Sequence, residues 1–154
     1  MERGFAIYET PVGWMRVEYE NGNITRLGKI VDEPEDKGSR TALTDEVDRQ
    51  LREYFDGKRK EFEFPYEMKG TVFQKSVWRA LCAIPYGETR SYKDIAVVVG
   101  NAKASRAVGM ANNKNPIAIV VPCHRVIGAD GKLVGYASGL EMKEALLKLE
   151  AENK

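Results

Sequence analysis

Residues 91–127 have the sequence SYKDIAVVVGNAKASRAVGMANNKNPIAIVVPCHRVI, and the fold of the second half of the chain follows from this stretch. Ser91 is expected to cap a helix over residues 92–99, because a serine side chain can accept the first free backbone N–H groups. A Gly100-Asn101 turn separates it from a second helix, predicted over residues 104–113. Two short helices joined by a glycine turn are typical of a helix-turn-helix, although many helix pairs in protein cores share the pattern.

The end of this stretch carries the most reactive side chains of the chain. The Asn115-Pro116 pair must end the second helix, because the residue before a proline avoids helical angles. Residues 117–121 are aliphatic and predict a buried strand that leads to Cys123. The only histidine, His124, follows that cysteine, so the imidazole or a water that it holds could take the thiol proton. Neighbouring cysteine and histidine residues also arise by chance, so this pair alone does not establish catalysis.

Two further helices are predicted on either side of this stretch. Apolar residues recur at helical spacing over residues 73–84 with Cys82 beside them, and Cys82 is therefore expected to be a packed core thiol. A last helix is predicted over residues 141–150. Its inward residues are expected to be Met142, Leu146 and Leu149.

The first half of the chain predicts a small antiparallel sheet and one helix. Apolar residues alternate there in three short runs separated by tight turns, at residues 5–8, 14–19 and 24–30. Residues 31–40 are charged and contain proline and glycine, which predicts a loop. Thr44 is then expected to cap a helix that runs to about Phe55.

Charge and composition change near residues 61–70, which we predict to be a domain boundary. Residues 1–70 hold 12 Lys/Arg against 16 Asp/Glu, a net charge of −4, whereas residues 71–154 hold 12 against 7, a net charge of +5. A positive half suggests a polyanionic partner, although chance unevenness of two solvated surfaces would give the same values. The predicted fold class is α+β, with an N-terminal α/β domain at 1–70 that combines an antiparallel sheet with a helix, and a mostly helical domain with a helix-turn-helix at 71–154.

Composition and cysteine usage limit the class of protein. The chain is 43% hydrophobic and 31% charged, which is typical of a globular protein and not of a disordered one. Its longest aliphatic runs, residues 95–99 and 117–121, are far too short to cross a bilayer. Two cysteines without an export signal are better explained as reduced thiols than as a disulfide, so we expect a cytoplasmic protein with no membrane partner.

Several short motifs occur in one order along the second half. They are Ser91-Tyr92, Arg106-Ala107-Val108-Gly109, Asn115-Pro116, Pro122-Cys123-His124-Arg125-Val126-Ile127, Gly135-Tyr136, and Lys143-Glu144 through Leu146-Leu147 to Glu150. In these motifs and their spacing the chain resembles the O6-alkylguanine-DNA alkyltransferase family, closely over the second half and loosely over the N-terminal sheet and helix. The resemblance implies direct-reversal repair, in which the alkyl group on guanine O6, or on thymine O4, moves from double-stranded DNA to Cys123. It makes residues 71–154 the DNA-binding and alkyl-acceptor domain.

The resemblance also implies a role for each catalytic residue. Cys123 accepts the alkyl group, and Glu150 orients His124, which through a water favours the ionised thiolate. Tyr92 hydrogen-bonds the flipped base and donates a proton as guanine leaves. Asn115 ties the second helix to the active-site turn. From the residues alone, Tyr92 could equally be a core aromatic residue and Glu150 a plain surface acid.

For DNA, the resemblance implies that the helix-turn-helix enters the minor groove and that the damaged base is flipped out of the duplex. Arg106 is expected to fill the vacated stack, although an arginine here could also bind phosphate or be simply solvated. Ala107 and Gly109 keep the helix thin for close contact with DNA, or else serve helix packing. Ser91 and Ser105 complete the predicted DNA-binding set.

The resemblance also implies a substrate pocket, most of it on a loop that closes over the base. Its residues are Tyr136, Ala137 and Ser138, together with Val126. The family often has serine directly after this tyrosine, where this chain has Ala137. The implied contact uses a backbone N–H, so activity should survive, while the range of bulky alkyl groups stays open. With one histidine and two separated cysteines, the chain lacks the ligands of a usual zinc site, so we expect no metal and no cofactor. We also expect a monomer.

Three other functions stay open on the sequence alone. A non-catalytic sensor of alkylated DNA would share the fold, but such proteins carry tryptophan where this chain has Cys123. A cysteine hydrolase could use Cys123, His124 and Glu150, although a nucleophile and base adjacent in sequence are awkward for that geometry. A transcription factor would bind a specific DNA sequence without using the cysteine.

Overall fold

The structure is a computed structural model and describes residues 2–136 and 138–154. Its internal contacts divide the chain into two compact units, Met1–Met68 and Lys69–Lys154. The first unit combines an antiparallel sheet with a helix and the second is mostly helical, so the fold class is α+β, as predicted. No helix within the described residues combines the length and the apolar character that a membrane span needs.

The first unit is built on a sheet of order β1-β2-β3 in which both neighbouring pairs are antiparallel. The strands are β1 (Arg3–Thr10), β2 (Gly13–Glu20) and β3 (Asn23–Lys29). Asn21 and Gly22 have φ angles of 51° and 82°, as a tight turn between β2 and β3 requires. The helix α1 (Ala42–Phe55) contacts β1 and β2 and buries Val47 and Leu51. The predicted three strands and single helix are confirmed.

The cap of α1 lies three residues earlier than predicted. The Thr41 side chain accepts a hydrogen bond from Thr44 N at 3.1 Å, and the Thr44 hydroxyl accepts one from Thr41 N at 2.8 Å. This reciprocal pair is a capping box that uses threonine at its third helical position. Thr44 is buried there, and its hydroxyl lies 2.9 Å from Tyr8 Oη, which donates its proton to the Asp45 carboxylate at 2.7 Å. The prediction of Thr44 as cap is wrong because both threonines fit the local pattern and only the contact with Tyr8 separates them.

Within its described residues, the second unit packs four α-helices around one core. They are α2 (Val72–Cys82), α3 (Tyr92–Val98), α4 (Ser105–Asn113) and α5 (Leu140–Glu152). Two short strands, β4 (Arg90–Ser91) and β5 (Val126–Ile127), pair in parallel. This pairing places the start of α3 beside the residues that follow Cys123.

Helices α3 and α4 form the predicted helix-turn-helix. The Ser91 hydroxyl accepts from Asp94 N at 3.0 Å and the Asp94 carboxylate accepts from Ser91 N at 2.9 Å, which confirms Ser91 as the cap of α3. Gly100 in the connecting turn has a φ of 89°, a left-handed angle that glycine adopts without penalty. The two helices pack against each other within the second unit.

Cys82 is exposed, against the prediction of a packed core thiol. The residues that α2 buries are Val77, Trp78 and Leu81. Cys82 follows Leu81 by one position, which rotates its side chain by about 100° around a helix of 3.6 residues per turn. Cys82 also follows the buried Trp78 by four positions, so it lies at the edge of the buried face and not outside it. The prediction is wrong because Cys82 is the last residue of α2, and at that edge it is exposed.

Candidate active site

The chain reaches Cys123 through a tight turn and not through the predicted strand. Residues 117–121 are mostly buried, as expected, but Val120 N bonds to Ala118 O at 2.8 Å and Val121 N to Ile117 O at 3.1 Å. Ile119 has a φ of 71°, a left-handed angle that costs an L-residue about 1–2 kcal/mol. An aliphatic run predicts burial, but a buried strand and a buried turn can have the same aliphatic sequence pattern.

Asn115 holds this turn closed with both ends of its carboxamide. Its Oδ1 accepts from Ile117 N at 3.0 Å and its Nδ2 donates to Val121 O at 2.7 Å. Asn115 follows α4 by two residues, so one side chain joins the helix end to the turn. Asn112 makes a second connection from the last turn of α4, because its Nδ2 donates to Cys123 O at 3.3 Å. The position of the thiol is therefore coupled to the second helix of the helix-turn-helix.

Cys123 opens a 3₁₀ turn, Cys123–Arg125, and is almost enclosed, with 5% of the residue exposed. Burial raises the pKa of its thiol, while the Asn115 carboxamide, the Lys143 ammonium and the Tyr136 hydroxyl act in the opposite direction. Burial is the largest of these effects, so the closed site favours the neutral thiol. This differs from the ionised sulfur expected from the sequence. A base must therefore remove the proton when the sulfur reacts.

His124 supplies a base that a buried carboxylate orients. Its Nε2 lies 2.6 Å from Glu150 Oε2, with both side chains enclosed. A carboxylate can only accept, so Nε2 carries the ring proton and Nδ1 keeps a lone pair. Nδ1 is buried and has no hydrogen-bond partner among the described residues. Burial lowers the pKa of His124 more strongly than Glu150 raises it, so the ring is neutral and can accept a proton.

Glu150 is the centre of a buried network and not a surface acid. Its Oε1 accepts from Arg125 Nε at 2.8 Å and from Gly87 N at 3.0 Å. Its Oε2 accepts from Arg125 Nη2 at 3.0 Å in addition to His124. Arg125 also donates to Ile84 O at 2.8 Å, so its own charge is well satisfied. A buried ion pair with this many hydrogen bonds keeps Glu150 as a carboxylate facing the imidazole.

A segment that we call the strap, residues 133–136, lies beside this group. Tyr92 OH donates to Val134 O at 2.8 Å, and Lys143 Nζ donates to the same oxygen at 3.0 Å. Lys143 Nζ also lies 3.3 Å from Gly135 O. Lys143 is fully buried, and burial lowers its pKa to about 8. The strap is therefore held by side chains from α3 and α5.

Two tyrosines border the thiol. Burial raises the pKa of Tyr92, and the neighbouring Cys123 raises it further. The pKa of Tyr136 is raised well above its usual value, again by burial first and then by Cys123. Of the other predicted pocket residues, Val126 is buried in β5 and Ser138 is half-buried, while Ala137 lies outside the described residues.

The predicted DNA-binding residues of α4 lie on its first two turns. Arg106 and Ala107 are exposed, and Ser105, the first residue of the helix, is half-buried. A Cβ added at Gly109 would lie 3.8 Å from ring atoms of Tyr92, which is ordinary van der Waals contact. Packing inside the unit would therefore accept alanine at position 109.

Three residues of the site were given no role by the sequence: Asn112, Arg125 and Lys143. Charged residues are almost always solvated, so burial of Arg125 and Lys143 could not be expected from their type. One signal was available, because Lys143 and Glu150 are seven residues apart and share the inward face of α5 with Met142 and Leu146. Leu149, predicted to face inward, is only half-buried.

Known proteins match this chain over nearly its whole length. The family model of the 6-O-methylguanine DNA methyltransferase DNA-binding domain matches residues 72–152. A methylated-DNA–protein-cysteine methyltransferase of Methanosarcina barkeri is 51% identical over 154 residues, covering 97% of this chain and 98% of that protein. The constitutive methylated-DNA–protein-cysteine methyltransferase of Bacillus subtilis is 48% identical, with 92% of each chain covered.

The fold is similar to that of a solved relative as well. The crystal structure of Mycobacterium tuberculosis OGT in complex with DNA has a TM-score of 0.87 and 43% identity, covering 97% of this chain and 93% of that one. The matched family model spans the helix-turn-helix, the Cys123 turn and Glu150 together. On this evidence the chain belongs to the 6-O-methylguanine-DNA methyltransferase family.

Proposed function

We propose that this protein repairs double-stranded DNA by transferring the alkyl group of O6-alkylguanine to its own Cys123. One observation carries the proposal: a buried thiol is followed by a histidine whose Nε2 is fixed on Glu150 at 2.6 Å, which leaves Nδ1 as a base. Relatives at 51% and 48% identity are named for the same reaction class. We assign the reaction to the predicted C-terminal domain, residues 71–154.

The chemistry is an in-line displacement at the alkyl carbon. The Cys123 proton passes to His124 Nδ1 through a water, and Glu150 stabilises the resulting imidazolium. The sulfur attacks the alkyl carbon, the bond between that carbon and O6 breaks, and the electron pair leaves with guanine. Tyr92 donates a proton to the departing base, which neutralises the charge that develops there. Lys143, close to the thiol, favours the thiolate while it forms.

The base must leave the duplex before it can meet a sulfur that is 5% exposed. The exposed Arg106 near the start of α4 is the residue proposed to fill the vacated stack. Ala107 is small and exposed, and packing within the unit does not require glycine at position 109. Both observations support a role of these small residues in close approach to DNA. The net charge of +5 over residues 71–154 favours the same polyanion.

The product is a thioether, which no side chain of the site can hydrolyse, so each molecule acts once. The transfer balances without metal or cofactor, and a monomer suffices for it. The reactive sulfur must stay reduced until DNA is met, and this requirement supports the predicted cytoplasmic location.

The decisive test is mass spectrometry after incubation with a duplex that contains O6-methylguanine. We expect one added methyl group on the peptide that holds Cys123. Cys123→Ala should abolish the addition, and Cys82→Ala, which removes the exposed thiol, should leave it intact. Binding of the lesion duplex without any labelling would instead favour a non-catalytic sensor, and turnover of a thiol ester would favour a hydrolase. A duplex with O4-methylthymine tests the second predicted substrate.

A further inference from the structure

The strap makes a contact that conflicts with the role of Tyr92 in the transfer. Tyr92 OH donates to Val134 O at 2.8 Å, and a phenol has only one proton to donate. While that hydrogen bond exists, Tyr92 cannot donate to a base. A base that takes the Tyr92 proton must therefore first separate Tyr92 from Val134.

Lys143 holds the same carbonyl independently of Tyr92. Its Nζ lies 3.0 Å from Val134 O and 3.3 Å from Gly135 O, and the residue is fully buried. An ammonium group has three protons, so it can bond to both carbonyls at once. Loss of the Tyr92 contact would leave the strap attached through Lys143.

The two side chains that hold the strap, and Tyr136 of the strap itself, lie near the thiol. Tyr92, Tyr136 and Lys143 each interact electrostatically with Cys123, whose exposure is 5%. Gly135 lies close to them, since a Cβ at this position would be 3.6 Å from Tyr92 Oη. Its φ of 60° is a left-handed angle. A base that brings its alkyl group to Cys123 must enter among these groups.

We propose that the Val134 carbonyl, while it is bonded to Tyr92, occupies the place of the acceptor atom of a flipped base, and that the incoming base displaces it from Tyr92. Tyr92 and Lys143 then act as a latch that covers the thiol until O6-alkylguanine arrives. Lys143 is the positioning residue that keeps the strap attached after Tyr92 has moved to the base. The identity of the displacing base rests on the proposed function, whereas the hold of the strap on the thiol can be measured without DNA.

Gly135→Ala tests the latch without removing either donor. Alanine at this left-handed angle is disfavoured by a factor of about five to thirty, which should open the strap by that factor. Labelling of Cys123 by iodoacetamide and of Lys143 by acetic anhydride should both rise accordingly in the absence of DNA. Gly22→Ala is the matched control, because Gly22 has a φ of 82° in a turn of the first unit. Unchanged labelling in Gly135→Ala, or an equal rise in Gly22→Ala, overturns the proposal.

Tyr92→Phe gives a signature that a packing role would not give. Loss of the hydroxyl should raise iodoacetamide labelling of Cys123, because the strap loses a donor, and should lower methyl transfer, because the base loses one. A fall in both rates would overturn the latch. Wild-type methyl transfer, measured in parallel, separates the two proposals. If it occurs while the variants leave labelling unchanged, only the latch fails; if it never occurs while labelling follows the variants, only the proposed function fails.

Discussion

Glu150→Gln tests the buried network with the smallest change of shape. Each carboxylate oxygen of Glu150 accepts two donors: Oε1 from Arg125 Nε and Gly87 N, and Oε2 from His124 Nε2 and Arg125 Nη2. A glutamine must place its NH₂ group at one of these two positions, where it meets two donors. Two hydrogen bonds are therefore lost whichever way the amide turns.

The magnitude follows from the burial of the partners. Removing one member of a buried ion pair costs about 3–5 kcal/mol, because the Arg125 charge is left without a counter-charge. For a chain of this size each 1 kcal/mol moves Tm by roughly 2–4 °C, so we expect Tm to fall by roughly 6–20 °C. A neutral amide also stabilises the His124 imidazolium less than a carboxylate does, in either orientation. Where its NH₂ group faces His124, it further favours the tautomer protonated at Nδ1, which cannot take the thiol proton. Loss of this base should slow methyl transfer by about 10²–10⁴-fold.

Two measurements on the same preparation check this reasoning. Thermal unfolding gives Tm, and single-turnover methylation of Cys123 gives the rate at a temperature where the variant is still folded. Glu144→Gln, on the exposed side of the same helix, is the matched control and should change stability by less than about 0.5 kcal/mol. If Glu150→Gln equalled Glu144→Gln in both Tm and rate, the buried carboxylate would have neither assigned role.

Three further outcomes follow from the site. Iodoacetamide labelling of Cys123 should keep rising above pH 9.0, the ordinary pKa of a cysteine thiol, because burial raises the pKa of this one. A titration midpoint below pH 9.0 would contradict the closed, neutral site. Arg106→Ala should slow reaction with duplex about ten- to hundredfold and leave reaction with the free O6-alkylguanine base unchanged. The exposed Lys103→Ala is the control, and equal losses on both substrates would exclude the insertion of Arg106 into the vacated stack. Asn112→Ala should destabilise the fold by about 1–3 kcal/mol and slow transfer, as measured by unfolding and methylation, with the exposed Glu144→Gln again as the control; equal effects of the two substitutions would remove the coupling role.

The fold could be predicted where a local pattern decides the structure. The alternation of apolar residues between tight turns predicted the three strands, and the Ser91 cap together with Gly100 predicted the helix-turn-helix. Predictions failed where two local solutions are equivalent and a tertiary contact selects one. Thr41 and Thr44 both fit a cap, and the contact with Tyr8 selects their order. Residues 117–121 fit a strand, but the Asn115 side chain closes them into a turn.

The candidate site divides in the same way. Cys123 and His124 are adjacent, so their chemistry is visible in the sequence, and the family resemblance supplied Glu150 across a separation of 26 residues. The spacing along α5 places Lys143 on the inward face, but no local pattern shows which partners satisfy its charge there, or that Arg125 joins Glu150 to Ile84 O. These facts depend on three-dimensional hydrogen-bond partners, since a charged residue is buried only where partners satisfy it.

Helix α5 shows why such costly residues are tolerated. Stability alone would favour apolar side chains at positions 143 and 150, because replacing buried charges by well-packed apolar groups is often stabilising. Instead, two turns of one rigid helix separate the cation that holds the strap from the carboxylate that orients His124. The side chain that holds the strap and the side chain that orients His124 therefore lie on the same helix.

The neutral, covered thiol then has a chemical purpose. A sulfur that reacts once cannot be regenerated by the site, so each oxidation before the encounter with DNA removes one molecule from use. Oxidation needs thiolate character and access, and the closed site gives Cys123 a raised pKa and 5% exposure. Deprotonation by His124 only after Tyr92 has released the strap would confine the reactive state to the time when a base is present.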